Sequence, residues 1–130
     1  MNTGSKTADY LSSALQASPL TPEDISARVG LSRVSHLTMM AHGLTRVPLD
    51  RIPALSAALD VRCSEFLFTA LEEYYPEVHR LLTEVLALPL DRDEEELVGL
   101  YRFTALDGRI PVEGAVGEEI AKILESAREG

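Results

Sequence analysis

Apolar residues recur at helical spacing along nearly the whole chain, and no run alternates polar and apolar as a half-buried strand does. The pattern predicts an all-α chain. A first helix spans about Thr7–Gln16 and should bury Tyr10, Leu11, Ala14 and Leu15. Ser18-Pro19-Leu20 breaks it. Thr21-Pro22-Glu23-Asp24 then reads as a helix start: a threonine to cap, a proline suited to the first helical position, and an acid where a capping box needs one. Ile25, Val29 and Leu31 supply the buried side of this second helix, and Gly30 ends it. The third helix is read as roughly Arg33–His42, with Ser32 as cap and Gly43 as stop. A loop, Leu44–Pro48, leads to a fourth helix over about Leu49–Leu59, where Pro53 is tolerated because it lies in the first turn.

A fifth helix begins near Ser64 and carries Phe66, Leu67, Ala70 and Leu71. Pro76 opens a sixth, with Val78, Leu81, Leu82 and Val85 expected inside. Leu88-Pro89-Leu90 breaks it. Asp93-Glu94-Glu95-Glu96 leads Leu97, Leu100, Tyr101 and Ala105 into a seventh, and the last helix covers about Gly117–Ala127.

The second helix, the turn Gly30-Leu31-Ser32 and the third helix have the spacing of a helix-turn-helix. In that arrangement the second of the two helices enters the DNA major groove. With Leu37 at zero on a helical wheel, Val34, Met40, Ala41 and Leu44 fall within roughly 60° of it and form a packing face. Ser35, Met39 and His42 point the opposite way, flanked by His36 and Thr38, with Arg33 at the entry. His36 and His42 are too far apart on one helix to make a metal site without further ligands.

Composition changes this picture in one respect. The 130 residues are 45% hydrophobic and 25% charged, which is ordinary for a globular chain. The net charge of −9 argues on its face against nucleic acid, whose binding is dominated by phosphate neutralisation. The acidity is not evenly spread, however. Residues 1–70 carry six basic and six acidic side chains, whereas residues 71–130 carry six basic and fifteen acidic. No acid lies between Asp24 and Asp50, and residues 26–62 hold five arginines against Asp50 and Asp60. The local field around the third helix is therefore expected to be mildly positive.

No stretch approaches the roughly 20 apolar residues that a membrane-spanning helix needs, and the N-terminus lacks a basic-then-apolar signal pattern. A cytoplasmic protein without membrane contact is expected. The single cysteine, Cys63, agrees with a reducing compartment and is read as a small packing residue. No nucleophile elbow, phosphate loop, zinc-protease motif or cysteine pair occurs, so neither an enzyme nor a bound cofactor is expected.

Residues 21–76 resemble the Cro/repressor-type helix-turn-helix family, the XRE or lambda-repressor-like group. The string EDISARVGLSRVSHLTMMAHGLTRVPLDRIPALSAALDVRCSEFL carries the likeness. Ile25-Ser26, Gly30, Gly43, Leu55-Ser56, Leu59 and Val61 stand at the family's characteristic positions. Thr38 to Ser56 runs without a gap beside a bacterial and phage subgroup pattern, Ser-Met-Ile-Lys-x-Gly-x-x-Lys-Val-Pro-Leu-Asp-Lys-Val-Pro-Ala-Leu-Ala. That subgroup also ends its fifth helix before a Tyr-x-Pro, as Tyr74-Tyr75-Pro76 does. Two departures stand out: Ala41-His42 replaces the lysine before the closing glycine, and the glutamine common near the starts of helices two and three is absent.

The resemblance implies a five-helix DNA-binding domain over residues 1–76. An acidic helical extension of about three helices follows over 77–130, for oligomerisation or partner binding. It implies a transcriptional regulator, a repressor, acting on double-stranded DNA as a homodimer. Base-side candidates carried over by position are Arg33, Ser35, His36, Thr38, Met39 and His42. Backbone candidates are Thr21, Arg28 and Arg46. The alternative is a protein-interaction module, antiactivator- or antitoxin-like, that has kept the fold and lost strong DNA binding.

Overall fold

Local chemistry sets where the helices begin and end. Ser5 caps α1 (Lys6–Ala17) by accepting from the Ala8 amide at 3.1 Å. Thr21 caps α2 (Pro22–Val29): its hydroxyl accepts from the Asp24 amide, and the Asp24 carboxylate accepts from the Thr21 amide. This reciprocal capping box satisfies two amides that the helix leaves without partners. Gly30 closes α2 in the left-handed region, φ 79°, where a side chain would be strained. The sequence reading anticipated each of these features of α2.

The remaining elements are α3 (Val34–Ala41), a 3₁₀ turn (Leu49–Arg51), α4 (Ile52–Leu59), α5 (Cys63–Tyr74), α6 (Pro76–Leu86), α7 (Arg92–Thr104) and α8 (Ala115–Glu129). The computed structural model describes residues 3–130, and among the described residues all regular structure is helical. No helix is long and apolar enough to cross a membrane, again among the described residues. The chain divides into two compact units, one running through Leu90 and the other from Asp91 to Gly130. The sequence boundary after residue 76 falls one residue into α6, and α6 packs on α5 within the first unit.

In the first unit α5 packs against α1, α4 and α6, while α2 packs against α4 and α3. The centre is Leu11, Ile25, Leu37, Ile52, Leu55 and Phe66, all fully buried. The Phe66 ring lies 4.9 Å from that of Tyr10. Three buried hydroxyls, Thr7 Oγ1, Ser26 Oγ and Ser56 Oγ, have no protein partner.

Several expectations need correction. Ser32 does not cap α3; the cap position is Arg33, with extended backbone and no side-chain cap bond. Leu44 is 73% exposed and does not belong to the packing face, because Gly43 (φ 74°) turns the chain away before it. Tyr10 and Leu15 are only partly buried. Cys63 is exposed at the start of α5. Val78, Leu81 and Val85 on α6 are exposed rather than internal, since the contact with α5 leaves that stripe uncovered.

The second unit is built differently. Asp91 and Glu94 form a capping box for α7. The Tyr101 hydroxyl donates to the Ile110 carbonyl at 2.9 Å and accepts from the Ile110 amide at 3.3 Å, which ties the connection to α7. Gly117 passes the Val112 carbonyl so closely that a Cβ there would collide with it. No residue of α7 or α8 is buried.

Candidate functional site

α3 is short, and its two sides separate cleanly. Leu37, Met40 and Ala41 are buried, and Val34 is half-buried at the first helical position. Ser35, His36, Thr38 and His42 are exposed, and Met39 is 38% exposed. The adjacent methionines therefore divide as the wheel requires: Met40 packs and Met39 faces outward. α2 has Glu23 and Asp24 in its first turn and α7 has three acids in its own, but α3 has no acid there and no side-chain cap.

Hydrogen bonds organise the exposed face. The Thr38 hydroxyl donates to the Val34 carbonyl at 3.4 Å. His42 Nδ1 lies 2.8 Å from the Thr38 carbonyl oxygen. A carbonyl only accepts, so Nδ1 carries the hydrogen, and in the neutral ring Nε2 is left as an acceptor.

Beside this face, a shallow cleft is lined by His36, Met39, Thr45, Arg46 and Pro48. Three of the sequence-predicted residues, His36, Met39 and Arg46, thus come together. Thr21 and Arg28 lie at opposite ends of α2, outside that cleft; both are exposed. Arg33 is exposed at the α3 entry. Among the described residues, no cluster of three or more His, Cys, Asp or Glu is arranged to hold a metal ion.

The structure adds residues that pattern reading missed. Arg46 is held from behind: its guanidinium sits 4.9 Å over the Tyr74 ring, a cation–π arrangement. The Tyr74 hydroxyl accepts from the Val47 amide at 3.0 Å, so one tyrosine on α5 fixes the loop that carries Arg46. Arg51 was counted in the positive field, but it donates to the Val29 carbonyl at 2.8 Å and closes the end of α2. It braces α2 against the start of α4. Glu73 anchors the same corner from below, accepting from the Thr7 amide at 2.9 Å and from the Ser5 hydroxyl. Burial pushes the Glu73 carboxyl upward, but the bonds from Thr7 and Ser5 and the Arg46 charge outweigh it and hold the carboxyl below its usual range. These contacts join residues 22 to 68 positions apart, beyond the reach of local spacing rules.

No protein-family model, curated protein or solved structure matches the chain.

Proposed function

We propose that the chain is a sequence-specific DNA-binding transcriptional regulator of helix-turn-helix type, a repressor that works as a homodimer in the cytoplasm. The observation that carries this reading is the outward face of α3, which is polar, exposed and without an acid from Asp24 to Asp50 in a chain of net charge −9. Duplex DNA repels acids at such a surface, and a merely solvated helix face has no reason to lack them.

In this reading the first five helices, over residues 1–76, form the DNA-binding domain and α3 lies in the major groove. Arg33 is placed to take a guanine edge. Ser35, Thr38 and His36 pair with bases or sugar-phosphate, and the Met39 methyl meets a thymine methyl. His42, with Nδ1 turned to the Thr38 carbonyl, presents Nε2 to the groove. Thr21, Arg28 and Arg46 contact phosphates and set register. The Tyr74 ring packs against the Arg46 guanidinium at 4.9 Å and steadies it. The acidic residues 77–130 stay off the DNA and serve pairing or a protein partner.

The test is binding to the chain's own upstream DNA across a range of salt. With Arg28 and Arg46 each neutralising a phosphate, log K should fall against log salt with a slope of roughly −2 per half-site. Replacing Arg33 and Arg46 together with alanine should weaken binding by about tenfold or more. A slope near zero, or unchanged binding in the double variant, rules the reading out.

One observation favours a second reading. The acidity of residues 71–130 suits a protein-interaction module whose partner is basic. Co-purification with a stoichiometric basic protein and no DNA shift at low salt would select it.

A further inference from the structure

A groove runs between α7 and α8. Leu97 and Leu100 of α7 and Leu124 of α8 form its apolar floor, and Asp91, Asp93, Glu94 and Glu96 complete its lining. It encloses about 380 Å³. The three leucines are 45%, 57% and 55% exposed, so the groove is an open trough. A small ligand occupies a site that buries most of its surface, and this trough has no wall to do so. An amphipathic helix needs only one face covered, and lays its apolar stripe into such a groove.

The charges around the trough have one sign. With Leu97 at zero on the wheel of α7, Leu100 lies at about −60° and Asp93 at about −40°, one turn nearer the N-terminus. Glu96 lies at about −100° and Glu94 at about +60°. Carboxylates therefore stand on both edges and at one end. Arg92 and Arg102 lie about 140° from Leu97, away from the trough. On α8, Lys122 is paired with Glu119 at 3.3 Å, and Arg128 stands a turn beyond Leu124, outside the lining. The capping box accounts for Asp91 and Glu94, and the helix dipole favours Asp93 in the first turn. Neither accounts for Glu96. Asp93 and Glu96 have no ion-pair partner among the described residues. Residues 91–130 carry eleven acidic and five basic side chains.

A second copy is a poor occupant. The trough placed on itself sets carboxylates against carboxylates. The exposed apolar stripe of α6 is flanked by Glu77 and Glu84, both in solvent, and would repel the same rim. The outward face of α3 offers one large apolar side chain, Met39. We propose that the α7–α8 trough binds an amphipathic helix of another protein, one whose apolar stripe is flanked on both sides by Lys or Arg. Its stripe covers Leu97, Leu100 and Leu124, and its bases meet Glu94 on one edge and Asp93 and Glu96 on the other. Complementary charge of this kind selects the partner and its register. The proposal deepens the protein-interaction reading above by naming its surface.

The experiment uses the full chain and a synthetic helical peptide of about 14 residues, with leucine at i, i+3, i+4, i+7 and i+11 and lysine elsewhere. Fluorescence anisotropy should show saturable binding that weakens as salt rises, and a peptide with glutamate for every lysine should bind at least about tenfold more weakly. Asp93→Lys plus Glu96→Lys should weaken the lysine peptide by roughly tenfold and strengthen the glutamate one. Leu100→Ser, at an exposed position that does not hold the fold, should weaken the lysine peptide by a similar factor. Glu77→Lys plus Glu84→Lys makes the same change of net charge on α6 and should alter binding by no more than about twofold. Circular dichroism should show unchanged helicity in each variant. No binding of the lysine peptide overturns the proposal. So does an α6 variant that weakens it as much as the α7 variant, which would mean attraction by net charge alone. Self-association of the chain that Leu100→Ser abolishes gives the trough to a second copy and also overturns it. A co-purified basic protein that still binds the α7 and Leu100→Ser variants keeps the protein-interaction reading and overturns this surface. Expected peptide binding by a chain that also shifts DNA at low salt defeats that reading as the alternative and leaves the trough standing.

Discussion

The two units of this chain use the same amphipathic helical spacing and obtain opposite results from it. Through Leu90, helices α1 to α5 cross one another and enclose a continuous core from Leu11 to Ala70, and α6 packs on α5 without burying a residue of its own. From Asp91 onward, two helices of comparable length leave every large apolar side chain at least partly in water, Phe103 by 76%. The reason is geometric. Two helices can cover only one stripe of each other, and a unit of some 40 residues has too little volume for an interior. The second unit relies on local bonds instead: the Asp91–Glu94 capping box, the Tyr101–Ile110 tie, and the Arg109–Glu113 pair at 2.8 Å. Surface pairs of that kind contribute little each. An amphipathic pattern thus states that a face is available for burial, not that this chain buries it.

The sharpest way to break the comparison is to remove one phenylalanine from each unit. Phe66→Ala should cost about 3–5 kcal/mol, because it empties a fully enclosed site. Phe103→Ala should change stability by no more than roughly 0.5 kcal/mol in the isolated chain. Urea unfolding of both variants measures the difference, and similar losses would mean that the second unit has a hidden core.

A smaller effect of opposite sign tests the quality of the first core. Ser26 and Ser56 bury hydroxyls without protein partners. Ser26→Ala and Ser56→Ala should each raise stability by about 0.5–1.5 kcal/mol, since an unsatisfied polar group is removed at almost constant shape. A loss in either variant would reveal a partner, such as a bound water.

The smallest effect concerns the corner shared by α1 and α5. The Glu73 carboxyl is held below its unfolded value, so its contribution is complete above that value and disappears as pH falls through the folded one. Glu73→Gln should therefore lower the melting temperature slightly at neutral pH and flatten its fall in acid. Equal acid slopes for the variant and the parent would show that the bonds to Ser5 and Thr7 are not maintained in solution.

Much of this was legible in the residues themselves. Helix positions, the Thr21 capping box, the stop at Gly30 and the split of Met39 from Met40 all depend on neighbours within four positions, where spacing and backbone chemistry decide the outcome. The misreadings share a cause. Leu44, Val78, Leu81 and Val85 have the spacing of core residues, and Cys63 has the composition of one, yet burial depends on which element arrives opposite.

By itself, the sequence determined an all-helical chain, its breaks, and an acid-free face on α3. Tertiary structure alone decided that Arg51 is spent bracing α2 while Arg46 is held outward on Tyr74. It also decided that the α6 stripe stays in solvent and that α7 and α8 enclose nothing. Local hydrogen bonds and side-chain periodicity are written into short stretches of chain, whereas cover requires a second surface, and distant residues supply it only when the chain has folded.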